Sequence, residues 1–202
     1  MHDIGNNKCD VCYENRHSKI LYKDTYGKHY ICKKCYKTIT GKESRIEFIW
    51  SEYIDKYYGI EYLSSSDRSL KSNGGCQLYR PDKLYISDNV VLLLECDEHQ
   101  HLWQNGNYSC DEKRISDIYD EKGIRGKKLI VIRWNPDNYE PPKNYKKLNR
   151  KKRLKLMINV MKHVVENTPS EMIHIYYLFY NEDNERLSQN IPHTLIYDND
   201  SI

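Results

Sequence analysis

The stretch Arg80–His101, RPDKLYISDNVVLLLECDEHQH, decides how the rest of the chain is read. Its centre, Val90 to Leu94, is a short apolar run consistent with a buried strand. Glu95, Asp97, Glu98, His99 and His101 follow within seven residues. Asp82 stands after a proline at the head of a second strand-like segment, Lys83 to Ile86. Carboxylates crowded at the end of a buried strand repel one another and resist desolvation, so a fold tolerates them there with a compensating cation. Oxygen ligands on paired strands are what a hard divalent ion such as magnesium takes. The plainer alternative is a solvated turn after a strand.

Outward from this stretch, three segments separate. Residues 1–41 hold four cysteines in two pairs and little else apolar, and Gly41 closes the segment. Residues 43–166 carry a mixed helix and strand pattern, and 167–202 add a β-prone run, Ile173 to Phe179, with a polar tail. Ser44 to Tyr58 reads as an amphipathic helix, with Ser44 and Glu47 as a capping box and Gly59 as its stop. Leu78 to Ile86 and Val90 to Cys96 read as strands joined across Ser87-Asp88-Asn89. Asp111 to Glu121 suits a helix, Lys128 to Trp134 a strand, and Leu148 to Glu166 a second long helix. This order favours an α/β layered core.

A chain of 202 residues with 39% hydrophobic and 12% aromatic residues can pack a medium domain and a small module, which excludes general disorder. No run approaches a membrane span, and the N-terminal MHDIGNNKCD lacks the apolar stretch of a secretory signal. The expected setting is therefore intracellular rather than secreted or membrane-bound, with cysteines reduced unless they hold metal.

The spacing Cys9-x2-Cys12-x19-Cys32-x2-Cys35 puts two thiolates on each of two tight turns. The intervening residues fit a hairpin that brings the pairs together around tetrahedral zinc. Binding would supply much of the module's folding energy. Cys76, Cys96 and Cys110 read as packed thiols, with Cys96 directed away from Glu95 and Asp97.

The net charge of +3 is modest, but its distribution is uneven. Lys143, Lys146, Lys147, Arg150, Lys151, Lys152, Arg153 and Lys155 follow one another with no acid among them. Such a run is either a solvated helix face or a phosphate-binding surface; Lys147, Arg150, Lys151, Lys152 and Arg153 are the candidates for DNA contact. Lys8, Arg16, Lys19, Lys23, Lys28, Lys33, Lys34 and Lys37 make the cysteine module basic too, which suits DNA contact or a structural, protein-binding knuckle.

The motif Asp82-x12-Glu95-x-Asp97 resembles the PD-(D/E)XK nuclease core, which places an acid on one strand and acid-x-lysine on the next. The lysine is absent here. The form Glu95, Asp97, His101 is similar to the branch around very-short-patch-repair endonucleases and related restriction-like and homing nucleases. Asp111-Glu112-Lys113-Arg114 and VIRWNPDNY at 131–139 also resemble the helix and final strand of those proteins. The four-cysteine knuckle is similar to ones attached to such nucleases in large DNA viruses and phages. The resemblance covers residues 44 to about 140.

It implies a restriction-endonuclease-like core, a central mixed sheet flanked by helices, behind the zinc module. It further implies a Mg2+- or Mn2+-dependent DNA endonuclease, homing or restriction-like, that hydrolyses phosphodiesters with metal-activated water. Asp82, Glu95 and Asp97 would be the metal ligands, His101 the proton carrier, Arg114 or Lys113 the phosphate clamp, and Glu47 a further acid. DNA is the expected partner and host cytoplasm or nucleus the setting if the chain is viral; a dimer is compatible with the sequence. The rivals are a DNA-binding or virion-associated protein that keeps the fold without cleaving, and a structure-selective repair nuclease.

Overall fold

The computed structural model describes residues 8–13, 20–24, 27–41, 46–59, 65–66, 70–71, 78–79, 81–97, 108–121, 123–182 and 187–201. The chain forms two compact units, Met1–Ile60 and Glu61–Ile202.

In the first unit, β1 (Ile20–Asp24) and β2 (Gly27–Ile31) pair antiparallel, and α1 (Lys33–Thr40) follows directly. Alternation turns Ile20 and its partner Ile31 inward, where both are buried beside Cys9, Cys32 and Cys35. Gly41 ends α1 in the left-handed region, φ 68°, and its N–H donates to the Lys37 carbonyl at 2.8 Å. The next helix, α2 (Ile46–Ile54), runs into a π-helical turn at Asp55–Gly59. Here the division differs from the expected one at residue 41. Phe48 of α2 packs against the cysteine cluster, so this helix belongs to the first unit. The proposed cap Ser44 lies outside the described residues.

The second unit is built on a six-stranded mixed sheet, ordered β10-β9-β8-β7-β6-β3. Its strands are β3 (Ser65–Ser66), β6 (Lys83–Ile86), β7 (Val90–Cys96), β8 (Lys128–Trp134), β9 (Ile173–Leu178) and β10 (His193–Ile196). A two-stranded ribbon, β4 (Leu70–Lys71) with β5 (Leu78–Tyr79), stands apart from the sheet, so the single strand expected over Leu78 to Ile86 is two. β6 and β7 run antiparallel; β7, β8, β9 and β10 are mutually parallel.

β7 is buried along its whole length because both faces of the sheet are covered, which explains its unalternated apolar run. On one face Leu84, Val91, Leu93, Leu129, Val131, Ile175 and Tyr177 pack with Ile115 and Ile118 of α3 (Tyr108–Tyr119). Trp134 alternates to the opposite face, where Arg153 of α4 (Arg150–Glu166) lies over its ring. Asn149 caps α4, its side chain accepting from Lys152 N–H at 3.0 Å. The segment after residue 167 adds β9 and β10 to the sheet.

Candidate functional site

The cysteine cluster is the more compact of two arrangements. The Sγ atoms of Cys9, Cys12, Cys32 and Cys35 all lie within 4.8 Å of one another. Cys12 and Cys32 Sγ are 3.9 Å apart, close to the separation of about 3.8 Å that tetrahedral zinc with ~2.3 Å bonds imposes on two thiolates. Burial opposes ionisation of Cys9. Backbone N–H groups of Cys12, Cys32 and Val11 outweigh it and bring the thiol down to about 6; two of these donors stand 3.2 Å and 3.4 Å from the sulfur. Cys35 is pushed up to about 12, first by burial and then by the neighbouring thiols. Four thiolates this close need a cation between them, and the donor set suits zinc. Among the described residues this is the one group of three or more His, Cys, Asp and Glu side chains gathered closely enough to hold a metal ion.

The second arrangement lies where β6 begins and β7 ends. Asp82 Oδ2 accepts the Cys96 N–H at 2.7 Å, so the acid ahead of β6 is tied to the end of β7. Glu95, on the α3 face, receives Arg114 Nη2 of α3 at 2.5 Å. In parallel register Glu95 stands beside Arg133 of β8. Arg133 Nε and Nη2 reach the two Asp97 oxygens at 2.8 Å and 3.1 Å, and its Nη1 pairs with Asp111. The Tyr180 hydroxyl also donates to Asp97.

These contacts order the charges. Burial pushes the Glu95 carboxyl up to about 8; Arg114 opposes this, Asp82 adds to it, Arg133 opposes it and Asp97 adds to it. Burial works against the charge on Arg133, but Asp97 and then Tyr180 hold its pKa well above the usual value. Tyr180 is raised by burial and then by Asp97. A buried carboxyl so far from its ordinary range, with two acids adding to the shift, is one that added positive charge would return to the ionised form.

The structure thus brings Asp82, Glu95, Asp97 and Arg114 together. Asp97 anchors Arg133 and Tyr180, and Arg114 pairs with Glu95. Glu47 lies on α2 in the first unit. His101, Glu98, His99 and Trp103 lie outside the described residues, as does Cys76. Cys96 is buried.

The basic run divides. Arg150, Lys151, Lys152 and Lys155 are exposed, as are Lys143, Lys146 and Lys147. Lys147 pairs with Glu140 at 2.7 Å. Arg153 is a correction to the DNA-contact set. It is buried, with Nη1 donating to the Asn135 and Asp137 carbonyls at 3.0 Å and 2.9 Å and Nη2 to the Pro136 carbonyl at 2.8 Å. Its guanidinium stacks near the rings of Trp134, Tyr139 and Phe179. It serves the turn after β8, because helical spacing turns this one member of the run inward.

Sequence reasoning missed Arg133 and Tyr180. For Arg133 a signal exists: one charge inside the apolar strand KLIVIRW demands buried acids nearby. Tyr180 offers none, since any of 19 tyrosines could have filled the place. No protein family, curated protein or solved structure matches the chain.

Proposed function

We propose that this protein is a metal-dependent DNA endonuclease, and the observation that carries the proposal is the meeting of Asp82 with the end of β7. Asp82, just ahead of β6, and Glu95, near the end of β7, sit at the same end of two neighbouring antiparallel strands, with an arginine from the following helix. That pairing of positions is what the resemblance to PD-(D/E)XK nucleases leads one to expect. Asp82 and Glu95 are the oxygen donors that would hold magnesium or manganese. The ion, when bound, would lower the pKa of a water and offset the charge growing on phosphate. Arg114, partly exposed beside Glu95, would meet a phosphate oxygen once a cation relieves it of the carboxylate. Asp97, the third acid of the set, accepts from Arg133 and Tyr180, which would hold it in place beside the other two.

DNA as substrate draws support from α4. Its first turn carries Arg150, Lys151 and Lys152 and no acid, which opposes the helix dipole and gathers positive charge that an anion would stabilise. The outcome expected is plasmid cleavage with magnesium, lost by about a thousandfold or more in Asp82→Asn and Glu95→Gln while DNA binding persists. Lys151→Ala with Lys152→Ala should flatten the slope of log affinity against log salt by about 1.8. Full activity in Asp82→Asn would remove this acid from the site and the proposal with it. Wild-type protein that binds DNA but leaves plasmid, mismatched and branched substrates intact with either metal would select the non-cleaving DNA-binding reading. Preference for branched or mismatched over plain duplex would select a structure-selective repair nuclease.

A further inference from the structure

The outward face of the zinc hairpin combines two features that a purely structural knuckle does not need. Register places Leu21 opposite Tyr30 and Lys23 opposite Lys28. Ile20 and Ile31 point inward, so alternation sends these four outward. Tyr30 is 51% exposed and Leu21 44% exposed, and both lysines are exposed. An apolar cross-strand pair on a solvent face contributes to hairpin stability; two lysines directly opposite each other detract from it. Neither lysine meets an acid among the described residues. The apolar pair and the cationic pair lie two residues apart along each strand, about 7 Å.

The Tyr30 backbone is also fixed from behind. Its N–H donates to Asp10 Oδ2 at 2.5 Å and its carbonyl accepts the Asp10 N–H at 3.0 Å, and Asp10 sits between the zinc-ligand positions Cys9 and Cys12. The knuckle thus sets where the aromatic side chain begins, and Tyr30 is half exposed on the strand face that also carries Lys23 and Lys28.

We infer that this hairpin face, Tyr30 with Leu21, Lys23 and Lys28, binds single-stranded DNA by stacking an unpaired base on the Tyr30 ring while the two lysines take flanking phosphates. An aromatic platform bordered by cations is the chemistry that holds unpaired bases without reading their sequence. A phosphate offsets the repulsion between Lys23 and Lys28 that the free hairpin carries. The choice of DNA as the polymer rests on the nuclease reading, whereas the stacking surface does not depend on cleavage. The face would then direct the enzyme to DNA with locally opened strands.

The test is fluorescence anisotropy of a labelled oligothymidine titrated with the zinc-loaded full-length chain, without added magnesium, beside a duplex of equal length. Tyr30→Ala should weaken oligothymidine binding about five- to a hundredfold and leave duplex binding nearly unchanged, while Tyr30→Phe keeps the wild-type affinity. Tyr30→Leu retains an apolar partner for Leu21 but no ring, and should lose affinity like alanine. Lys23→Ala with Lys28→Ala should reduce the salt slope on single strands by about 1.4. Binding is read without cleavage, so failure of the nuclease reading leaves this result legible. Wild-type oligothymidine affinity in Tyr30→Leu with one zinc per chain would overturn the inference. Equal losses on single strand and duplex would do the same, since the ring would then be contributing nothing specific to unpaired bases.

Discussion

The two units hold themselves together by different physics. Around the cysteines the buried apolar set is Ile20, Ile31 and the thiols themselves, with Cys12, Tyr22, Tyr36 and Phe48 partly buried against them. The sheet unit buries β7 and β8 almost completely and covers them with α3 and α4. A cluster as small as the first offsets little of the conformational entropy of its chain, and a metal ion held by its four thiols would add the missing cohesion. The sheet unit needs no such staple, and can afford to bury charge: Glu95, Asp97, Arg133 and Arg153 all sit below the surface. A module whose thiols would bind metal can leave Leu21 and Tyr30 exposed, whereas dense packing surrounds the buried charges of the sheet unit.

If the four thiols hold zinc, the contrast breaks most visibly when it is removed. A chelator, or Cys32→Ser, should withdraw folding free energy on the order of 10 kcal/mol from the first unit. Amide exchange should then rise throughout β1 and β2 while β7 and β8 remain protected. Simultaneous loss of protection in both units, or a purified chain without one zinc per molecule, would contradict two independent modes of cohesion.

A smaller effect sharpens the other side of the comparison. Arg153→Ala strips three carbonyls of their donor and leaves a gap beside Trp134, Tyr139 and Phe179, so the sheet unit should lose about 3 kcal/mol in urea unfolding. Arg153→Lys should recover only part, because one ammonium cannot span carbonyls that a planar guanidinium bridges. The same substitution should leave the salt dependence of DNA binding unchanged. A flatter salt slope in Arg153→Ala would return this residue to the surface.

The smallest effect concerns Glu112. Its carboxylate accepts from Ser188 Oγ, Gln189 N–H, Asn190 N–H and Asn190 Nδ2, fastening the approach to β10. Partial burial works against the charge, but the bonds from Asn190, Ser188 and Gln189 prevail and lower its pKa to about 2. A depressed folded pKa means stability that is complete above the unfolded value near 4.3 and lost as pH falls towards 2. Glu112→Gln should therefore cost about 1 kcal/mol at neutral pH and progressively less below pH 4. A cost that stayed constant from pH 7 to pH 3 would mean that the charge contributes nothing.

Much of the framework was legible in residue patterns. β7 and β8 have the bounds expected, because a run of adjacent apolar residues flanked by turn formers has few other places to go. The cysteine spacing located its cluster without help, since two CxxC turns can meet only through the hairpin between them. β10 escaped notice: His193–Ile196 is short, and it becomes a strand by lying parallel to β9. The helix over Ile46–Ile54 is legible as a helix, but its membership of the first unit is not. Amphipathicity tells that a helix has an apolar face, not which surface receives it.

By itself, then, the sequence determined the local periods, the thiol set and the acids that flank β6 and β7, all of which depend on residues close in the chain. Only the tertiary structure decided how the charges are shared. It gave Asp97 to Arg133 and Tyr180, Arg114 to Glu95, and Arg153 to the turn after β8 instead of to solvent. A charge buried in a low-dielectric interior takes whatever opposite charge or hydrogen-bond donor the packing brings within reach. That partner is chosen by strand register and helix facing across long separations in sequence.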